Sequence, residues 1–260
     1  MNRRTFLKTT AVGAATCFAA RPLRGADAKP KTLPNVELLA QAKERIEQHR
    51  KSDGVIVEED VNAVSVVIQW HGPSVRKDEA ATFVADVYSD VLNNQQSRFQ
   101  KKLVDSGLWQ GVAVNYYTLN NVGPISVSGQ TSADKLRPAM AALYKELEAS
   151  TKPGYFTQEE LEATKASRAV SSAFGREKAS DFSHTIGFWW AASGLEYYMK
   201  YVDEMAKRTP ADLRSYATKY IIGKPHIVGV MMTPADRAKL KLTPDELARL
   251  GEPVPLRASY

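Results

Sequence analysis

Hydrolytic chemistry needs either closely spaced metal ligands or a nucleophile beside a base, and this chain offers little of either. Its four histidines are His49, His71, His184 and His226. None stands in an HxxxH, HxxH or HxxEH arrangement, so no helix sets two imidazoles on one face for a divalent cation. The nearest set is Glu177, Asp181 and His184, whose spacings of four and three put all three on one side of a helix. That makes a weak metal candidate, because a polar helix face with a salt-linked histidine uses the same pattern far more often. His71 precedes Gly72-Pro73, with Asp78 and Glu79 close behind. It reads as a general base or, more commonly, as a turn histidine capping the next helix. Serines 97, 126, 128, 171, 172 and 183 lack a glycine elbow. With no P-loop and no GxGxxG, nucleotide binding has no support.

These residues sit in a chain of 260 residues, 43% hydrophobic and 25% charged, long enough to bury a real core. Residues 1–28 read as an export signal: a charged start, a weakly apolar run over 9–20, a second basic patch and Ala26-Asp27-Ala28 as a small-x-small cleavage site. Arg3-Arg4 followed by Thr5-Phe6-Leu7-Lys8 resembles the twin-arginine signal, which sends folded proteins to the bacterial periplasm. The apolar run is too short to span a membrane, so no membrane association is expected after cleavage. Cleavage takes away the only cysteine, Cys17, and with it disulfides, thiolate metal sites and cysteine nucleophiles. It also removes Arg3, Arg4, Lys8, Arg21 and Arg24 against Asp27, lowering the net charge from +6 to +2. The basic balance is thus mostly an export feature, and no nucleic-acid partner is expected.

Residues 29–53 form a leader and a charged linker helix over 36–50, closed by Ser52-Asp53-Gly54. Strands are expected over 55–58 and 64–70, the second nearly unbroken in apolar residues and therefore deep in a sheet. Helices follow over 78–93 and 97–106, with Gly107 after the second. Residues 112–119 and 122–128 alternate around Asn120-Asn121 as a hairpin. A helix capped by Ser132 runs to about 150. Thr157-Gln158-Glu159-Glu160 then opens a long helix that continues past Phe174 towards Trp190, kinked at Gly175. Helices over 196–207 and 210–221 and a strand over 226–232 complete one α+β domain, 54–234, with a polar tail over 235–260. Its helices lie on one face of a mostly antiparallel sheet. Seven rings, Phe182, Phe188, Trp189, Trp190, Tyr197, Tyr198 and Tyr201, crowd twenty residues, and core packing and a partner-facing surface both account for them.

Ile68-Gln69-Trp70-His71-Gly72-Pro73-Ser74 with the helix after Asp78, and Ser97-Arg98-Phe99 through Leu103-Val104-Asp105-Ser106-Gly107-Leu108, resemble the C-terminal domain of the M16 (insulinase, pitrilysin and processing-peptidase-like) metallopeptidases. So do Thr157-Gln158-Glu159-Glu160-Leu161 and Thr209-Pro210-Ala211-Asp212-Leu213 followed by Tyr220 and the strand through Val228. The likeness covers nearly all of 54–234. It implies an M16 half-domain of processing-peptidase type, one of two that enclose a peptide.

In that family the other half carries HxxEH and a distant Glu around a zinc whose first Glu activates water. The C-terminal half gives an Arg and, seven residues on, a Tyr that orient substrate and stabilise the oxyanion. Aligning Gly107-Leu108 puts Leu103 at the Arg position and Gln110 at the Tyr position, so that role is degenerate here. The resemblance therefore implies a chain that is not a peptidase alone and holds no cofactor. Zinc is expected only in an HxxEH-bearing M16 partner, together with which the chain would form a peptide chamber. The hairpin strand with Val122, Ile125 and Val127 is expected to take an extended peptide at its edge. The alternative is a peptide- or protein-binding scaffold that stands alone.

Overall fold

A computed structural model describes residues 52–251. The export signal with Cys17, the leader, the helix over 36–50 and residues 252–260 lie outside the described residues. Strands β1 (Asp53–Glu58) and β2 (Val64–Gly72) lead to helix α1 (Val75–Asn93) and the short α2 (Arg98–Gln100), which runs on as a π-helical turn, Lys101–Asp105. Then come β3 (Gly111–Tyr116), β4 (Gly123–Thr131), α3 (Leu136–Ala149), α4 (Gln158–Phe174), α5 (Ala179–Ala192), α6 (Leu195–Ala206) and α7 (Pro210–Tyr220). β5 (His226–Met232), α8 (Pro234–Leu240) and α9 (Pro244–Leu247) close the described chain. The architecture is the expected α+β one.

The five strands form one sheet in the order β1-β5-β2-β4-β3, parallel between β1 and β5 and antiparallel elsewhere. Period-two alternation sorts the sheet into two faces. Val64, Val66, Ile68 and Trp70 of β2 are buried with Val228, Val230 and Met232 of β5, Ile125 and Val127 of β4, and Val112 and Val114 of β3. Burying each such side chain contributes about 1.5–3 kcal/mol, which fixes which face the helices cover. α1 lies against β3, α4, α6 and α7 through Phe83, Val84, Val87, Tyr88, Val91 and Leu92, a 3.6-residue apolar stripe. Trp109 fills the core beneath β4 and donates Nε1–H to the Ala139 carbonyl at 3.0 Å. A Cβ on Gly129 would lie 2.7 Å from that ring, so the site needs glycine.

Several expectations change. The regular part of α1 does begin at Asp78, but three residues ahead of it are also helical across a break at Asp78 (φ −154°, ψ 69°). Asp78 Oδ2 there accepts from Lys219 Nζ and Tyr220 Oη, both at 2.6 Å. Burial works against ionisation of this carboxyl, but the two donors prevail and hold it below its usual range. The hairpin turn is a six-residue loop, 117–122, because Val75 and Arg76 at the start of α1 donate N–H to its Leu119 and Asn120 carbonyls. The long helix over 157–190 is two helices. Gly175, Arg176 and Glu177 bond back over α4 in a closing turn, and Lys178 is extended (φ −104°, ψ 124°) before α5 restarts. Residues 235–260 are expected to be a polar tail, but from Pro234 to Leu247 the chain forms α8 and α9, each opened by a threonine cap and a proline at the first turn.

Candidate functional site

No catalytic constellation forms among the described residues. His71 is an exposed residue of β2, paired with Pro124, and does not cap α1, whose N-cap is Ser74. His226 is buried, with Nε2 2.7 Å from Tyr144 Oη and Nδ1 2.9 Å from the Lys224 carbonyl oxygen, a core histidine within a polar relay. His184 is exposed on α5. The break after α4 removes Glu177 from the helix that carries Asp181 and His184, so the three do not share a face, and no group of three His, Cys, Asp or Glu side chains converges among the described residues. Asp181 instead lies 3.9 Å from Lys178.

The family's Arg and Tyr positions are equally silent. Leu103 sits in the π-helical turn at 0% exposure, packed in the core, and its carbonyl receives Trp109 N–H at 2.9 Å. Gln110 is exposed just before β3, with its N–H bonded to the Gln130 carbonyl at 2.8 Å. The turn 97–111 is a packing unit: Ser97 Oγ caps α2 by accepting Gln100 N–H at 3.2 Å and donates to the Leu92 carbonyl at 2.9 Å.

The hairpin edge is overturned by the register. β4 bonds β2 on one flank and β3 on the other, so its main chain is satisfied on both sides, and Ile125 and Val127 are core residues. Val122 lies in the loop, outside the strand. The apolar alternation that suggested a receptive strand is that of an interior one.

What the fold leaves uncovered is the second face of the sheet. Val55, Val67 and Ile227 are 47%, 41% and 40% exposed there. The pairing brings Val55, Gly229, Val67, Ser128 and Ala113 into one row across all five strands. The next row holds Asp53, Ile227, Gln69, Ser126 and Asn115. This is a mixed floor of small, apolar and amide or hydroxyl side chains, suited to van der Waals and hydrogen-bond contacts with an extended chain.

On the helical side, sequence reasoning missed a charged cluster. Asp90 on α1 takes a two-point ion pair from Arg168 on α4, Nε to Oδ2 at 2.8 Å and Nη2 to Oδ1 at 2.5 Å. One turn earlier, Asp86 accepts from Tyr201 Oη on α6 at 2.7 Å. Burial lifts the Asp86 carboxyl to about 7, against the pull of the Tyr201 hydroxyl and the Arg168 charge, and lifts Asp90 as well. The four-residue spacing of two aspartates inside an apolar helix face was the available signal. The aromatic cluster divides between its two readings. Trp189 stacks on Tyr197 at 5.2 Å and Phe83 on Tyr197 at 4.6 Å, while Trp190 is 72% exposed.

A protein-family model described as the peptidase M16 inactive domain matches residues 30–168. No curated protein matches the chain. Among solved structures, a protease from Helicobacter pylori is 18% identical with a TM-score of 0.59, over 70% of this chain and 45% of that one. A peptidase M16 inactive domain from Pseudomonas fluorescens is also 18% identical, with a TM-score of 0.55 over 70% and 44% of the two chains. A chain of complex III2 from Candida albicans is 8% identical, with a TM-score of 0.59 over 76% and 49%. The chain thus spans less than half the length of these relatives.

Proposed function

The chain belongs to the M16 peptidases as one of their inactive domains, and from that premise we propose that it is the non-zinc half of a two-part peptidase, exported to the periplasm, whose other half is a separate HxxEH-bearing M16 subunit. The observation that carries the reading is the uncovered sheet face, a five-strand floor bearing the partly exposed Val55, Val67 and Ile227. Such a floor is the expected wall of a chamber closed by a second half-domain. A zinc in the partner would supply the activated water. This chain's own residues contribute wall contacts: apolar ones from Val55, Val67 and Ile227, and hydrogen bonds from Gln69, Ser126, Ser128 and Asn115. Leu103 offers no charge for a developing oxyanion, so the chemistry belongs to the partner. The twin-arginine pattern at Arg3-Arg4 supports export of the folded chain.

Co-purification from the native periplasm tests this reading. A stoichiometric HxxEH protein recovered with the chain supports it, and recovery of the chain alone or with unrelated proteins removes it. The exposed Trp190 is the one observation favouring a scaffold that stands alone, and recovery with unrelated proteins is the outcome that reading requires.

A further inference from the structure

A sheet with one open face ordinarily has open edges as well, and each exposed edge is a template for another strand. Here both edges are closed by different means. α9 packs on β1 so tightly that any Cβ on Gly54 would collide with the Pro244 carbonyl, and Arg237 on α8 pairs with Glu58 at the end of that strand. At β3 the closing groups are single side chains from the end of α1 and from α2.

In β3 the antiparallel alternation turns main-chain groups towards β4 and outward in turn. Tyr117 N–H reaches the Pro124 carbonyl, so Val112, Val114 and Tyr116 direct their groups away from the sheet. Asn93, the last residue of α1, meets Val114 with both ends of its amide. Nδ2 donates to the Val114 carbonyl at 2.7 Å, and Oδ1 accepts Val114 N–H at 2.8 Å. Gln100 Nε2 donates to the Val112 carbonyl at 3.0 Å and to the Leu92 carbonyl at 3.1 Å. A carboxamide offers a donor and an acceptor spaced like those of a peptide group, so Asn93 makes the two bonds that an opposing strand residue would make. A groove of about 520 Å³ runs beside Gly111–Ala113, lined by Asn93, Gln96, Gln100 and Lys101.

We propose that Asn93 and Gln100 act as an edge guard. By occupying both main-chain groups of Val114 and the carbonyl of Val112, in the middle of the outward flank of β3, they keep that strand from pairing with a second copy of the chain, and they confine recognition of extended peptides to the open sheet face. The guard does not depend on a zinc-bearing partner.

The test uses the whole mature chain with Asn93→Ala, Gln100→Ala and the double substitution. In the wild type, Val114 N–H exchanges with solvent at least about tenfold more slowly than the loop amides of 118–122, as a hydrogen-bonded edge group does. The folded double variant sediments as a larger species than the wild type at equal concentration. It also binds a synthetic peptide of residues 109–118 at least about tenfold more tightly, equivalent to about 1.4 kcal/mol. Fast exchange at wild-type Val114 overturns the proposal whether or not the double variant folds. So does a folded double variant that sediments as the wild type does and ignores the peptide.

Discussion

Asp86 is where a single side chain has the clearest consequence for stability. Its carboxyl, near 3.8 in an unfolded chain, is lifted to about 7 by burial between α1 and α6. Between those values the folded protein holds a proton that the unfolded one has released. The stabilisation is therefore complete at acid pH, falls as pH rises through that window and is flat above it. Asp86→Asn, which keeps an acceptor for Tyr201, should remove this part of the pH dependence, as chemical denaturation between pH 4 and 8 will show. Unchanged slopes would mean that Asp86 is ordinarily solvated. Trp109 is the second sensitive position. Trp109→Ala opens a cavity and removes the Nε1–H bond to the Ala139 carbonyl, and should cost about 3–5 kcal/mol by the same measurement.

Secondary structure was legible where a local device stood beside a periodic apolar run. Thr157 and Thr209 each form the capping box that their sequences spell, accepting N–H from Glu160 and Asp212. The same threonine-proline start recurs at Thr233-Pro234 and Thr243-Pro244, where Thr233 and Thr243 accept N–H from Asp236 and Glu246. Read as a polar tail, that stretch in fact carries α8 and α9, because Leu242 and Leu247 are too few to give a periodic signal yet are buried. Thr243→Ala should destabilise the fold by about 1 kcal/mol through loss of that cap, read by thermal melting.

What sequence could not yield was lateral order. Alternation in β4 is the same whether the strand lies inside the sheet or at its edge, and only pairing with both β2 and β3 decides. The spacing of the paired aspartates of α1 could be read, but not their partners, because Arg168 and Tyr201 come from positions 78 and 115 residues away.

Among the described residues, helices lie on one side of the sheet and the other side is an open floor. If that floor is a chamber wall, charge on it should disturb the chamber and leave the fold intact. Val67→Lys and Ile227→Lys lie on the solvent side of interior strands, so melting temperatures should hardly move, within about 0.5 kcal/mol. Their effect on a reconstituted peptidase should be large, about tenfold or more, as for other centrally placed contacts.

Reconstitution is accordingly the decisive experiment. The purified chain is titrated into the HxxEH-bearing M16 subunit that the proposal requires, and cleavage of a peptide mixture is followed with zinc present. Cleavage should require both chains, saturate near one equivalent and be lost with Val67→Lys. Equal cleavage by the zinc-bearing subunit alone, or cleavage by this chain alone, would contradict the assignment of this fold as a non-catalytic wall.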